Sequence, residues 1–104
     1  MTYRDYVMEL LKPSGDFSGR AMFGGYGIFE GGDMFALVSQ DDRLCFKVDD
    51  SNRGDYEAAG SERLTPMPYY EVPEEVLEDP ATLAEWAARS VAIAHASAKN
   101  KKRR

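Results

Sequence analysis

Hydrophobic and polar positions along the chain divide it into short elements. Tyr3, Tyr6, Val7, Leu10 and Leu11 recur at helical spacing behind Thr2 and Asp5, a capping box with Asp in place of Glu. Pro13-Ser14-Gly15 ends that helix. Residues 22–29 then read as one apolar strand, interrupted by Gly24, Gly25 and Gly27, which suggest a bulge or sharp twist. Glu30-Gly31-Gly32-Asp33 is a turn, and residues 34–39 (MFALVS) form a second strand. After the turn Gln40-Asp41-Asp42, residues 43–48 alternate. Leu44, Phe46 and Val48 face one way, and Arg43, Cys45 and Lys47 the other.

Asp50 or Ser51 can cap a helix running to about Ala59, with Gly60 at C′. Residues 61–68 carry two prolines and fit no single element, while Tyr69 to Val72 suits a strand. Pro73 opens a helical turn, and Asp79-Pro80 starts the last helix, with Asp as N-cap and Pro at N1. Leu83, Trp86, Ala87, Ser90, Val91 and Ala94 share one face of that helix, which is expected to end near Ser97. Strands cluster instead of alternating with helices. The fold class is therefore α+β: two layers, an antiparallel sheet with helices on one face.

At 104 residues and 43% hydrophobic, the chain suits one domain with a modest core. No apolar run approaches the roughly 20 residues of a membrane span. MTYRDY at the start carries neither a basic nor an apolar signal region, and the lone Cys45 cannot form an internal disulfide. A cytoplasmic location is expected. The net charge of −5 is uneven: residues 1–98 hold eight basic and 18 acidic groups, or −10. The acidic body repels phosphate backbones. Lys99, Lys101, Lys102, Arg103 and Arg104 form a basic tail, residues 99–104, expected to be disordered and able to make weak nucleic-acid contact.

The glycine cluster matches neither GxGxxG nor GxxxxGK[ST], and a strand continues through it. Backbone conformation or close packing explains Gly24, Gly25 and Gly27 better than phosphate binding. Arg20 can meet an anionic partner or a local carboxylate. Phe23, Tyr26 and Phe29 are expected mainly in the core or on one sheet face, with Tyr26, whose parity differs, the most exposed of the three. Tyr69 and Tyr70 are consecutive, so one faces inward and the other is an interface candidate. His95 is the only histidine and reads as a surface residue near a helix C-terminus. No nucleophile elbow is present and no second His or nearby Cys suggests a metal site, while a Cys45–His95 nucleophile pair, or a carboxylate cluster, stays open as the basis of a less favoured enzyme reading. The acid pairs Asp41-Asp42, Asp49-Asp50 and Glu74-Glu75 suit turns and helix starts, and no EF-hand spacing supports a cation. No enzyme, cofactor or metal is expected.

The blocks RAMFGGYGIF, MFALVSQDDRLCFKVDD, YEAAGSE and YYEVPEEVLEDPATLAEWA, in this order from about Arg20 to Ala94, closely resemble the N-terminal domain of the TfoX/Sxy family of competence regulators. The resemblance implies a two-layer fold like that of secretion chaperones, in the order α-β-β-β-α-β-β-α, with a strand pair within residues 61–72. It also implies a regulatory role in transcription through a protein partner, or a chaperone-like homodimer, with no catalytic residues to carry over. Two features depart from the family. Only six residues (63–68) separate the AGSE-like and YYEVPEEVL-like blocks, and no C-terminal helical domain follows, so a stand-alone version is expected. Arg20, Phe23, Tyr26, Tyr69 and Tyr70 are the candidate partner-binding residues, with a surface around Arg20 and Tyr26.

Overall fold

The computed structural model describes residues 2–22 and 24–102, with side chains through residue 100. Helix α1, Tyr3–Leu11, begins with the capping box that the sequence implies. Asp5 N donates to Thr2 Oγ1, and Thr2 N donates to the Asp5 carboxylate, both at 3.3 Å. A 3-10 turn, Lys12–Ser14, containing Pro13 ends the helix.

The single strand expected at residues 22–29 is instead a hairpin. Strand β1, Ser18–Met22, and strand β2, Gly25–Glu30, pair antiparallel, with Met22 opposite Gly25. Two residues separate them in the chain. Gly24 supplies φ 76°, the left-handed conformation that tight turns require. In the sequence, residues 21–29 run without a polar gap, so a hydrophobicity pattern does not show the break. Gly25 has a different role. A Cβ there would stand 2.3 Å from the Val38 carbonyl oxygen, so only glycine lets β2 lie this close to its neighbour.

Strands β3, Asp33–Val38, β4, Leu44–Lys47, and β5, Tyr69–Glu71, complete a five-stranded antiparallel sheet in the order β1-β2-β3-β4-β5. Ile28 lies opposite Ala36 but Phe29 opposite Met34, which makes Phe35 the extra residue of a β-bulge. The bulge brings both Phe35 and Ala36 into the main core, where Phe35 meets Phe17 at 4.7 Å and Phe46 at 6.0 Å between ring centres. The strand pair expected within residues 61–72 is reduced to β5 and one isolated bridge, Arg63 to Tyr70.

Helices α2, Arg53–Ala58, α3, Glu74–Leu77, and α4, Pro80–Lys102, join α1 on one side of the sheet. Gly60 takes the predicted C′ place with φ 73°. Asn52, rather than Asp50 or Ser51, precedes α2. Thr82 Oγ1 donates to the Asp79 carboxylate at 2.8 Å at the head of α4. That helix runs past Ser97 to Lys102, so residues 99–102 are helical where a tail was expected. Leu83, Ala87 and Ala94 of α4 close over Ile28, Ala36, Val38, Leu44 and Phe46, with Val7 and Leu11 from α1, Tyr56 from α2 and Val76 from α3. The α+β class and the helices-on-one-face layout are those expected. The order is α-β-β-β-β-α-β-α-α, because the first strand is split and the fifth stands almost alone. No helix of the described residues is long and apolar enough to cross a membrane.

A Cβ on Gly27 would meet the Met22 and Met34 sulfurs at 2.6 and 2.8 Å, ends of flexible side chains that can swing aside. Gly25→Ala, which meets backbone, is expected to lower the unfolding free energy by roughly 3 kcal/mol, and Gly27→Ala by roughly 1. Urea denaturation of the two variants checks the order, and equal losses would contradict it.

Candidate functional site

Cross-strand register sorts the side chains onto two faces. Arg20, Gly27, Leu37, Cys45 and Glu71 lie in one row across the sheet, on the side opposite the helices. Ser18, Phe29 and Met34 make a parallel row, and Met22 shares their side. Two different covers occupy this side. Over β4 and β5, Leu64 and Met67 from the loop of residues 61–68 pack on Leu37, Cys45 and Tyr69. Arg63 holds that loop in shape, donating from Nε to Met67 O at 3.1 Å and from Nη2 to Pro66 O at 3.2 Å. Over β1 to β3 the cover is made by side chains of the strands themselves. Met22, Met34 and Phe29 fold over the bare Cα of Gly27. Above them the Arg20 guanidinium lies 5.0 Å from the centre of the Phe29 ring.

This half-buried platform of two thioethers and one ring, with a guanidinium at its margin, was only partly visible in the sequence. Of its members, Arg20 was a candidate and Phe29 was assigned mainly to the core. Met22 and Met34 were missed. The one signal for them is Gly27, since a glycine inside a strand marks close approach by something else.

The other candidates are dispersed. Tyr26 has the opposite parity to Phe29, as expected, but it faces the helices and is half-buried. Its ring lies across Gly19, with the Arg4 guanidinium 4.8 Å from its centre. Arg20 and Tyr26 are therefore on opposite faces and form no common surface. Tyr69 is buried on the side away from the helices, and its hydroxyl donates to Met34 O at 3.2 Å. Burial pushes that hydroxyl's pKa up to about 12. Tyr70 turns to the helix side, 5.8 Å from the Tyr56 ring. Neither tyrosine presents a free aromatic face. Phe23, Arg103, Arg104 and the side chains of Lys101 and Lys102 lie outside the described residues. Lys99 is exposed on α4.

Cys45 and His95 are not brought together. Cys45 is buried under the 61–68 loop, and burial, aided by Glu71, pushes its thiol up to about 12. His95 stands on α4, on the other side of the sheet, and corrects the expectation of a simple surface histidine. Its Nδ1 meets Asp33 Oδ2 at 2.6 Å and its Nε2 meets Glu30 Oε1 at 2.5 Å, tying α4 to the β2–β3 hairpin. Carboxylates at opposite ends of one imidazole cannot converge on a single cation. Among the described residues no group of three or more His, Cys, Asp or Glu could hold a metal ion. The turn acids are likewise engaged: Asp41 with Ser39 and Arg43, Asp49 with Ser51, and Asp50 with Arg53. Arg43 also reaches Glu62 at 3.4 Å and Glu71 at 3.6 Å, fastening the 61–68 segment to the sheet.

A helix-backed antiparallel sheet with methionines on its opposite face defines a two-layer α+β domain. The sequence model of the TfoX N-terminal domain matches residues 9–94, and the chain belongs to that family. No curated protein matches it.

Two titrating groups give direct tests. Hydrogen bonds to Asp33 first and Glu30 second raise the His95 pKa. Its contribution to stability is therefore complete below the unfolded value of about 6.5 and fades as pH climbs through the higher folded value. Denaturation of His95→Gln beside the parent should show the largest deficit near pH 5 to 6 and the smallest near pH 9. Cys45 should react with a thiol-specific disulfide reagent at pH 8 roughly two to three orders of magnitude more slowly in the folded chain than in denaturant.

Proposed function

We infer that this domain is a non-enzymatic regulatory module that acts through a protein partner, in transcription control of the competence-regulator type, in the reducing cytosol. One observation carries this reading: the Met22, Phe29 and Met34 platform, with Arg20 at its edge, on a sheet face without a helical layer. Methionine adapts its shape to a partner, and aromatic residues and arginine are enriched where proteins meet. The charge of −10 over residues 1–98 favours a protein over a nucleic acid. The basic residues from Lys99 onward add at most a weak, salt-sensitive contact.

Immobilised protein is expected to retain purified RNA polymerase or one of its activators at low salt. Met22→Glu should weaken retention by roughly tenfold or more, while Glu85→Ala, on α4, should leave it unchanged. Deletion of residues 99–104 should also leave it unchanged. Retention that is insensitive to Met22→Glu, or no retention at all, would contradict the reading.

A further inference from the structure

The sheet has two edges, and they are treated differently. Outside β5, residues 62–64 act as a substitute strand. Leu64 N donates to Tyr69 O at 2.7 Å, Glu71 N donates to Glu62 O at 3.0 Å, and Arg63 bridges Tyr70. Outside β1, no described strand pairs. Residues 18–21 are all exposed, and only Met22 is half-buried. Natural edge strands are commonly protected by charged side chains, proline or a bulge, and the single such feature on β1 is the charge of Arg20. The sequence SGRAM contains no proline or lysine, and its pairing with β2 runs through five consecutive residues without a bulge.

We propose that β1 receives an extended segment of a protein partner as a sixth strand, with an acidic side chain of that segment set against Arg20. This rests on the reading of the domain as a protein-binding module. Main-chain hydrogen bonds to the open edge would supply affinity, and side chains at alternate positions specificity. Two observations select an acidic residue. Arg20 is the only charged residue on β1, and among the described residues it makes no ion pair. A shallow hollow of about 250 Å³ opens at the same edge, lined by Ser18, Gly19, Arg20, Phe29 and Gly32. It gives a carboxylate room to approach the guanidinium in the bidentate manner that arginine favours. Two positions along on the same face, Met22 offers an apolar neighbour, so the matching segment carries an acidic and an apolar residue at i and i+2.

A second copy of the chain fits the edge poorly. Antiparallel pairing of two β1 strands in full register would set Arg20 directly opposite its counterpart on the same face, and like charges there destabilise. Sliding the copies by one pleat relieves the clash but shortens the paired stretch to three residues.

A displayed library of random heptapeptides, selected on the immobilised protein, tests this. Enriched peptides should carry the acidic and apolar pair. Exchanging their acid for lysine should weaken binding at least tenfold, and Arg20→Glu should invert that preference. Binding should slow amide hydrogen exchange within residues 18–22. Peptides that bind elsewhere, indifferent to Arg20→Glu, would overturn the edge assignment and leave the protein-binding reading standing. A library that yields no binder would overturn both. A solution dimer joined through β1, seen by light scattering together with exchange protection, would also overturn the proposal.

Discussion

One carbonyl organises the molecule. The Lys47 oxygen, at the end of β4, accepts from Ser90 Oγ at 2.7 Å and from Asn52 Nδ2 at 3.3 Å. Ser90 and Asn52 are both buried, and both point to this atom. Buried polar groups are costly unless bonded, so the pair fixes where α4 and the start of α2 sit on the sheet. Asn52 also accepts from Asp49 N at 2.9 Å, which shapes the turn into α2. Small residues make the approach possible. Ala87, Ser90 and Ala94 present almost no bulk, and α4 can lie close on β3 and β4.

Several consequences follow from that anchor. With α4 pressed onto one face, the other three helices complete the same layer, and the Tyr56 ring is held edge-on against Trp86 at 4.6 Å. No helix of the described residues buries the opposite face. Half is closed by the 61–68 loop, secured by Arg43 and Arg63, and half by the methionine and phenylalanine side chains of β1 to β3. A loop cover and a flexible thioether cover are both easier to rearrange than a packed helix. The open β1 edge borders the same half of the sheet, so a partner strand and a partner surface could be engaged together.

Much of the fold was legible because its signals are local. The Thr2–Asp5 box, the Asp79-Pro80 start, Gly60 and the alternation of residues 43–48 each act within a few residues of themselves. The misreadings came from interactions that span the chain. His95 looked like a plain surface residue because its carboxylates lie more than sixty residues away, in a turn that was itself predicted correctly. The candidate site was half legible. Arg20 was singled out in the sequence, but parity alone cannot say which face the helices choose, and so Arg20 and Tyr26 were grouped in one surface although they lie on opposite faces. Alternation likewise separated Tyr69 from Tyr70 without showing that the 61–68 loop covers one and Tyr56 packs beside the other.

The central claim is that the face without helices is the one a partner covers, and methionine accessibility reports on both faces at once. Met22 and Met34 lie on that face, while Met8 packs against the helix-side core. Mild peroxide oxidation of the free domain and of its partner complex, read residue by residue by mass spectrometry, compares them directly. The account predicts that the partner protects Met22 and Met34 and leaves Met8 unchanged. Protection of Met8 with Met22 and Met34 still oxidised would contradict it.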